Sequence, residues 1–417
     1  MAKFELGKIT KKIGSGFTPK GGKSTYCSKG IAFVRSQNIL DMQFSKDGLV
    51  YISDKQAAKL KNASIESDDV LLNITGDSVA RACIMDSKYL PARVNQHVSI
   101  IRCDPNKIKS QYLLYYLQYL KKHLLKMASV GSTRKALTKE EISGLLVELP
   151  SIEKQKEITL LLESVRHKMQ INRQINDNLA AMIKTIYEYW FIQFEFPDEN
   201  GKPYKSSGGK MVWNEQLKRT IPQGWSVESI INTPLCYPIK PGIKPFSEKT
   251  YLATADVIGT SIGTGNPINY ETRESRANMQ PEINSVWFAK MKSSIKHLFL
   301  SSSMHDFIHS SILSTGFQGL QCTERSFEYI ASFIGNDYFE TLKDQLAHGA
   351  TQEAVNNDDL KGVKILIPDN RTLDLYHSAS RQNYQLIGSA LIENKHLESL
   401  RDWLLPMLMN GQATIED

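Results

Sequence analysis

Gly131-Ser-Thr-Arg-Lys-Ala136 and Gly349-Ala-Thr-Gln-Glu-Ala354 decide how this chain of 417 residues is organised. Each opens a segment that continues through Ile142 or Leu360 and Gly144 or Gly362 to Pro150 or Pro368, and each matched position lies 218 residues from its counterpart. Glu140-Glu141 becomes Asp358-Asp359, and the run before each proline (LLVELP, VKILIP) is short, apolar and strand-like. At the same offset Val34-Arg-Ser-Gln-Asn-Ile39 lies over Leu252-Ala-Thr-Ala-Asp-Val257. Phe4-Glu-Leu lies over Trp225-Ser-Val at an offset about three larger. Matches in the same order at four places indicate a duplication, and the period is far too long for a solenoid. The unit that was copied is a domain.

A long helical pattern follows each proline. From Glu153 to Trp190 a 4-3 seam runs Ile158, Leu162, Val165, Met169, Asn172, Asn176, Leu179, Ile183, Ile186, Trp190, uninterrupted by Gly or Pro. That spacing predicts a coiled-coil helix, about 57 Å long. A second line, Ile171, Ile175, Met182 and Tyr189, widens the apolar face and implies a further partner. The weaker copy, Arg371 to Leu405, carries Tyr376, Asn383, Ile387, Ala390, Asn394 and Leu397 at similar spacing and is expected to end at Pro406. Antiparallel pairing with aligned midpoints sets Asn176 beside Asn383, a polar pair suited to fixing register.

The rest of the chain is rich in short β-type runs (GIAFVRS, DVLLNI, HVSIIR, YLATADV, NSVWFA) between Gly, Pro, Ser and Asp clusters, with helical stretches such as Gln111 to Ala128. The expected fold is mixed α/β: two similar globular domains joined by two long antiparallel helices with pseudo-two-fold symmetry. The boundaries are 1–150, a central helix at 151–195, a polar glycine-rich linker at 196–224, 225–368, and a C-terminal helix at 369–417.

Charge is unevenly spread. The net charge is +7, but residues 1–61 alone hold 12 Lys/Arg against 4 Asp/Glu. Such a segment suits a phosphate-binding surface or a solvated lysine-rich face. Lys11, Lys12, Lys20, Lys23 and Lys29 flank a glycine-rich loop (14–22) and are the candidate phosphate contacts. Arg35, Ser36, Gln37 and Asn38 follow a strand-like run. Arg, Gln and Asn can pair with purine edges, while Gln37 and Asn38 can equally cap the following turn. In the second copy Lys240 and Lys244 flank Gly242, and Thr254 and Asp256 replace the polar pair. A retained framework with diverged polar loops suits two readers of different sequences.

Catalytic patterns are missing. The sequence contains no GxxxxGK[ST] loop, no GxGxxG after a strand and no DPPY-like tetrapeptide. Asp77 and Glu140-Glu141 lack partners for metal-dependent chemistry, and His97 in Asn95-Gln96-His97 reads as a hydrogen-bonded structural residue. Five cysteines (27, 83, 103, 236, 322) show no CxxC pairing. No run of eighteen apolar residues and no apolar leader in MAKFELGKITKK is found, so a cytoplasmic protein is expected.

These segments together resemble the specificity subunit of type I restriction-modification systems: the NGKPYKSSGGKMVWNEQL…IPQGW linker, the VNQHVSIIR (94–102) and FVRSQNI (33–39) runs and the GST/GAT…P repeat. The resemblance covers the whole chain. It implies a non-catalytic subunit whose two target-recognition domains each read half of a bipartite double-stranded DNA site. It also implies that the helices dock two methyltransferase subunits, and that restriction subunits join them. This chain would then hold no cofactor or metal; S-adenosylmethionine would belong to the methyltransferase, and ATP and magnesium to the restriction subunit. One departure is that residues 225–345 hold 10 Lys/Arg against 12 Asp/Glu, which makes phosphate contacts in the second domain less secure.

Overall fold

The computed structural model describes residues 2–19, 21–129, 135–350 and 352–413. Lys20, Gly131 to Arg134 and Thr351 therefore lie outside the described residues. The chain divides into two compact units, Met1–Arg166 with Leu400–Asp417, and His167–Ser399.

In the first unit two four-stranded sheets form most of the framework. One runs in the order Thr10–Ser15, Val98–Cys103, Val70–Asn73, Ala82–Ile84, with antiparallel neighbours. The other runs Val50–Ile52, Ile31–Val34, Ala92–Val94, Ser64–Ile65, and its central pair is parallel. Val70–Asn73 is buried at every position, as a strand covered on both faces must be. The helices Ser110–Tyr119 and Lys121–Ala128 close the first sheet, and Tyr112, Leu113 and Leu124 are fully buried against Leu6, Val70 and Leu72. Thr138 and Glu141 cap the short helix Lys139–Ser143 reciprocally. It leads to Leu146–Leu149, which pairs antiparallel with Ala2–Glu5.

The second unit repeats this element by element. Its sheets run Cys236–Pro238, Phe317–Cys322, Ser285–Ala289, His297–Leu300 and Asn266–Ile268, Lys249–Leu252, Ser311–Ser314, Ala277–Met279. Again the central pair of the latter sheet, Lys249–Leu252 and Ser311–Ser314, is parallel. Phe327–Ile334 and Asp337–Leu346 stand where the first unit has its two helices, and Asn356 with Asp359 caps Asn357–Leu360. Ser226–Ser229 pairs with Lys364–Ile367. The helix caps also correspond: Ser151 accepts from Lys154 N–H (3.3 Å) and Asp369 from Thr372 N–H (2.9 Å).

The two long helices are Ile152–Tyr187, extended by a π-helical turn at Glu188–Ile192, and Asn370–Met409. In the second unit they are antiparallel: Tyr187 meets Tyr376 (ring centroids 6.5 Å apart) and Asn172 meets Asn394 (Nδ2 to Oδ1, 3.0 Å). Asn172 also donates to Glu393 (2.7 Å). This pairing corrects the expected Asn176–Asn383 contact by seven residues. A heptad pattern looks the same after a slip of seven, so periodicity alone could not choose; Asn172 finds two acceptors in the observed register. Along the seam Ile158, Leu162, Val165, Met169 and Ile183 are buried, whereas Ile175 (43% exposed), Met182 (54%) and Tyr189 (40%) of the second line are not covered.

Pro406 does not end its helix. The helix continues to Met409 because Leu408 and Met409 are buried in the first unit's core with Ile158 and Leu162. A helix-interior proline costs about 3 kcal/mol, and burying two large apolar side chains offsets it at about 1.5–3 kcal/mol each.

The polar segment 196–224 is ordered. Phe196 stacks on Tyr204 and Trp225 (4.6 and 4.9 Å), and the hairpin Met211–Asn214/Arg219–Pro222 places Ile221 in the second unit's core. Arg371 donates to the carbonyls of Pro197 (3.1 Å) and Asp198 (2.6 Å).

Candidate nucleic-acid interface

Because Ile31–Val34 and Ala92–Val94 are parallel, their C-terminal ends emerge side by side. The turn Arg35-Ser36-Gln37-Asn38 leaves one, and Asn95-Gln96-His97 leaves the other, tied by Asn95 N–H to Val34 C=O (3.1 Å). The glycine-rich loop closes on the same end. Gly16 N–H donates to Asn95 C=O (3.1 Å), and Thr18 donates to the Gln96 side chain. A Cβ on Gly16 would lie 1.8 Å from the Val94 carbonyl oxygen, so only glycine fits there. Phe17 stands 52% exposed beside this contact. Loops set on a rigid scaffold in this way are where recognition side chains are usually found.

Within the turn the four candidates separate. Arg35 sends Nη2 to Gly48 C=O (2.5 Å) and lies over the Tyr26 ring (5.4 Å), leaving part of the guanidinium outward. Gln37 is exposed and held only by a 3.4 Å bond to Gly48 C=O; Ser36 is half-buried. Asn38 is withdrawn from base reading. It is fully buried, its Oδ1 accepts Arg35 N–H (3.1 Å), and its Nδ2 donates to Ser45 and Asp47 C=O (both 3.1 Å). Its hydrogen-bonding groups are spent holding the turn.

The lysines are not one cluster. Lys11 is exposed. Lys12 is half-buried, its ammonium 3.5 Å from Ser64 C=O beside Arg102. Burial, and then Arg102, lower its pKa. Arg102 itself is committed to Asp69 (2.9 and 2.8 Å) and Glu66 (2.5 Å). Lys12 thus sits beside a partly exposed charge network built on Arg102. Lys23 lies in the turn Gly22–Thr25. His97 bonds to the Thr75 hydroxyl (2.6 Å), the structural role expected of it.

The second domain builds the same end differently. Ala253 N–H donates to Asp256 Oδ2 (2.8 Å), as Arg35 N–H does to Asn38, so Asp256 too is the cap of its turn. Thr254, the counterpart of Ser36, is half-buried, and its carbonyl accepts Lys296 Nζ (2.5 Å). Lys240 and Lys244 are exposed on a loop anchored by Gly242 N–H to Asn278 C=O (2.9 Å), which brings them to the strand led in by Arg276. Arg276, just before one strand, and Lys290 and Lys296, at the two ends of one hairpin turn, reach this end together. Residues 225–345 are acidic in net charge, yet three cations stand together at this end. In the first domain, Thr18 and Gln96 add polar groups at this end through their shared hydrogen bond.

Among the described residues no group of three His, Cys, Asp or Glu side chains is arranged to hold a metal, and no helix is long and apolar enough to cross a membrane.

Residues 1–181 match the family model described as the type I restriction modification DNA specificity domain. The type I restriction enzyme MjaIX specificity subunit of Methanocaldococcus jannaschii is 24% identical over 329 residues, 74% of this chain and 70% of that one. The HindI specificity subunit of Haemophilus influenzae is 19% identical over 467 residues, 98% of each chain. The fold is shared with the crystal structure of a type I restriction-modification S subunit from M. genitalium, with a TM-score of 0.53 at 11% identity, covering 98% of this chain and 96% of that one. Residues 1–181 are therefore similar to the type I restriction modification DNA specificity domain, and most of the chain is similar to specificity subunits of those systems.

Proposed function

We propose that this chain is the non-catalytic subunit that selects the DNA target of a type I restriction-modification complex. The observation that carries the reading is the pair of capped turns. Asn38 and Asp256 make the same framework bond, while the side chains offered outward differ: Arg35, Ser36 and Gln37 in one domain, Thr254 among lysines in the other. Two such readers on one chain suit a bipartite, asymmetric target with an unread spacer.

The uncovered line of Ile175, Met182 and Tyr189 on the central helix is the surface for two methyltransferase subunits, since exposed apolar stripes on a helix mark interfaces. In that assembly S-adenosylmethionine serves the methyltransferase, and ATP with magnesium serves restriction subunits, in the cytoplasm where the DNA lies. Sequencing methylated DNA from a host that expresses this chain with its methyltransferase tests the reading. One two-part motif is expected; a host whose methylation is unchanged by the chain would refute it.

A further inference from the structure

Lys290 and Ile74 occupy the same place in the two domains. Lys290 N–H donates to Gly316 C=O (3.0 Å) and its carbonyl accepts from Val355 (3.0 Å); Ile74 N–H donates to His97 C=O (3.0 Å) and its carbonyl accepts from Leu137 (2.8 Å). In each domain the residue directly follows the strand that lies beside the paired ends, Ser285–Ala289 or Val70–Asn73. Where the first domain has a half-buried apolar side chain, the second has a half-buried ammonium.

That ammonium has no hydrogen bond and no carboxylate partner among the described residues, and neither has the guanidinium of Arg276 next to it. Gly316 brings the two residues together: its carbonyl accepts Lys290 N–H (3.0 Å), and Arg276 Nη2 lies 3.8 Å from where its Cβ would stand; burial and then Arg276 lower the Lys290 pKa. Neighbouring lysines show how this fold otherwise treats such a charge. The fully buried Lys343 has Glu340 at 2.7 Å and two carbonyls, and Lys292 has Glu353 at 2.7 Å. Gly316 lies against the pair. A Cβ there would stand 2.8 Å from the Thr254 methyl and 3.8 Å from Arg276 Nη2, so a larger residue would crowd Thr254. A half-buried cation such as Lys290 is costly without a counter-ion, and the exposed Arg276 beside it adds a second positive charge that an anion can meet.

We infer that Lys290 and Arg276 together hold a backbone phosphate of the DNA half-site bound by the second domain. A neutral base edge would leave two like charges uncancelled, whereas a phosphodiester supplies the missing anion. The inference rests on the DNA-recognition reading above, and deepens it by giving the second domain a phosphate anchor that the first lacks at this position.

The test is equilibrium binding of the full chain to one mixed-sequence DNA duplex across a range of monovalent salt. Lys290→Met and Arg276→Gln should each lower the magnitude of the log-affinity against log-salt slope by about one and weaken binding roughly tenfold at about 0.1 M salt. Lys290→Arg should keep the wild-type slope. Without DNA, Lys290→Met should melt no lower than wild type, because it removes a like-charge contact. An unchanged slope in both variants overturns the inference while leaving DNA recognition standing. A reduced slope that Lys290→Arg does not restore, or a lowered melting temperature, assigns Lys290 to packing and overturns it as well. A wild-type chain with no salt-dependent binding removes the recognition reading itself.

Discussion

The turn at Arg35–Asn38 and the turn at Ala253–Asp256 are the same object built with different interiors. In the first the cap is an asparagine, wholly buried, that makes three hydrogen bonds; in the second it is an aspartate that makes one to the backbone. The shared bond fixes where the next residues point, and the unshared ones decide how firmly. Around this frame the charged groups have been redistributed. The first domain ties Arg102 to the buried Asp69 and the exposed Glu66, and the second gathers Arg276, Lys290 and Lys296 at the paired strand ends. A duplicated scaffold thus keeps its backbone contacts while its exposed chemistry drifts, which two recognition surfaces for unlike sequences require.

The largest expected effect breaks a feature that only the second domain has. Glu340 is buried between His297 (2.8 Å) and Lys343 (2.7 Å), and Lys343 is completely buried. Glu340→Gln strands that charge and should cost about 3–5 kcal/mol in chemical denaturation, with the first domain unaffected. Burial alone would raise the Glu340 pKa, but the hydrogen bonds from His297 and Lys343 outweigh it and hold the group below its usual 4.5. A lowered carboxyl stabilises the fold above its ordinary pKa and stops doing so as acid protonates it. The gap between wild type and variant should therefore be full at neutral pH and narrow as the pH falls below 4.5.

Removing the two caps compares the turns directly. Asn38→Ala leaves buried backbone groups unpaired and should cost about 1–3 kcal/mol. Asp256→Ala deletes a single bond on a more open turn and should cost about 0.5–1.5 kcal/mol. Equal costs measured by denaturation would show that the asparagine's extra bonds contribute nothing. The smallest effect on folding is expected on the uncovered helix line. Ile175→Glu with Met182→Glu should change stability by less than about 0.5 kcal/mol yet abolish co-purification of the methyltransferase. Retained co-purification would move that interface elsewhere.

Much of this architecture was legible because its signals are local. The repeat offset, the capping pairs Thr138/Glu141 and Asn356/Asp359, and the heptad seam depend on residues within a few positions of one another. The helix register was not, because a seven-residue slip preserves the pattern and only the acceptors offered by Glu393 and Asn394 choose. Pro406 misled for the same reason: its local penalty is outweighed by burial of Leu408 and Met409 against residues about 250 positions away. At the recognition surface, residue type pointed to Asn38, whose burial only the fold reveals. The second domain's cations lie within residues 276–296, but only the fold shows that Arg276 and the turn carrying Lys290 and Lys296 meet.

The central claim is that each domain reads its own half of the target through the residues its capped turn presents. The direct test is the methylated motif produced by Gln37→Ala and by Thr254→Ala chains, each expressed with the methyltransferase and compared with wild type by sequencing modified DNA. The account predicts a two-part motif in which Gln37→Ala alters or relaxes one half, Thr254→Ala alters or relaxes the other, and the spacer stays constant. A single contiguous motif, or a substitution in one domain that changes both halves, would contradict it.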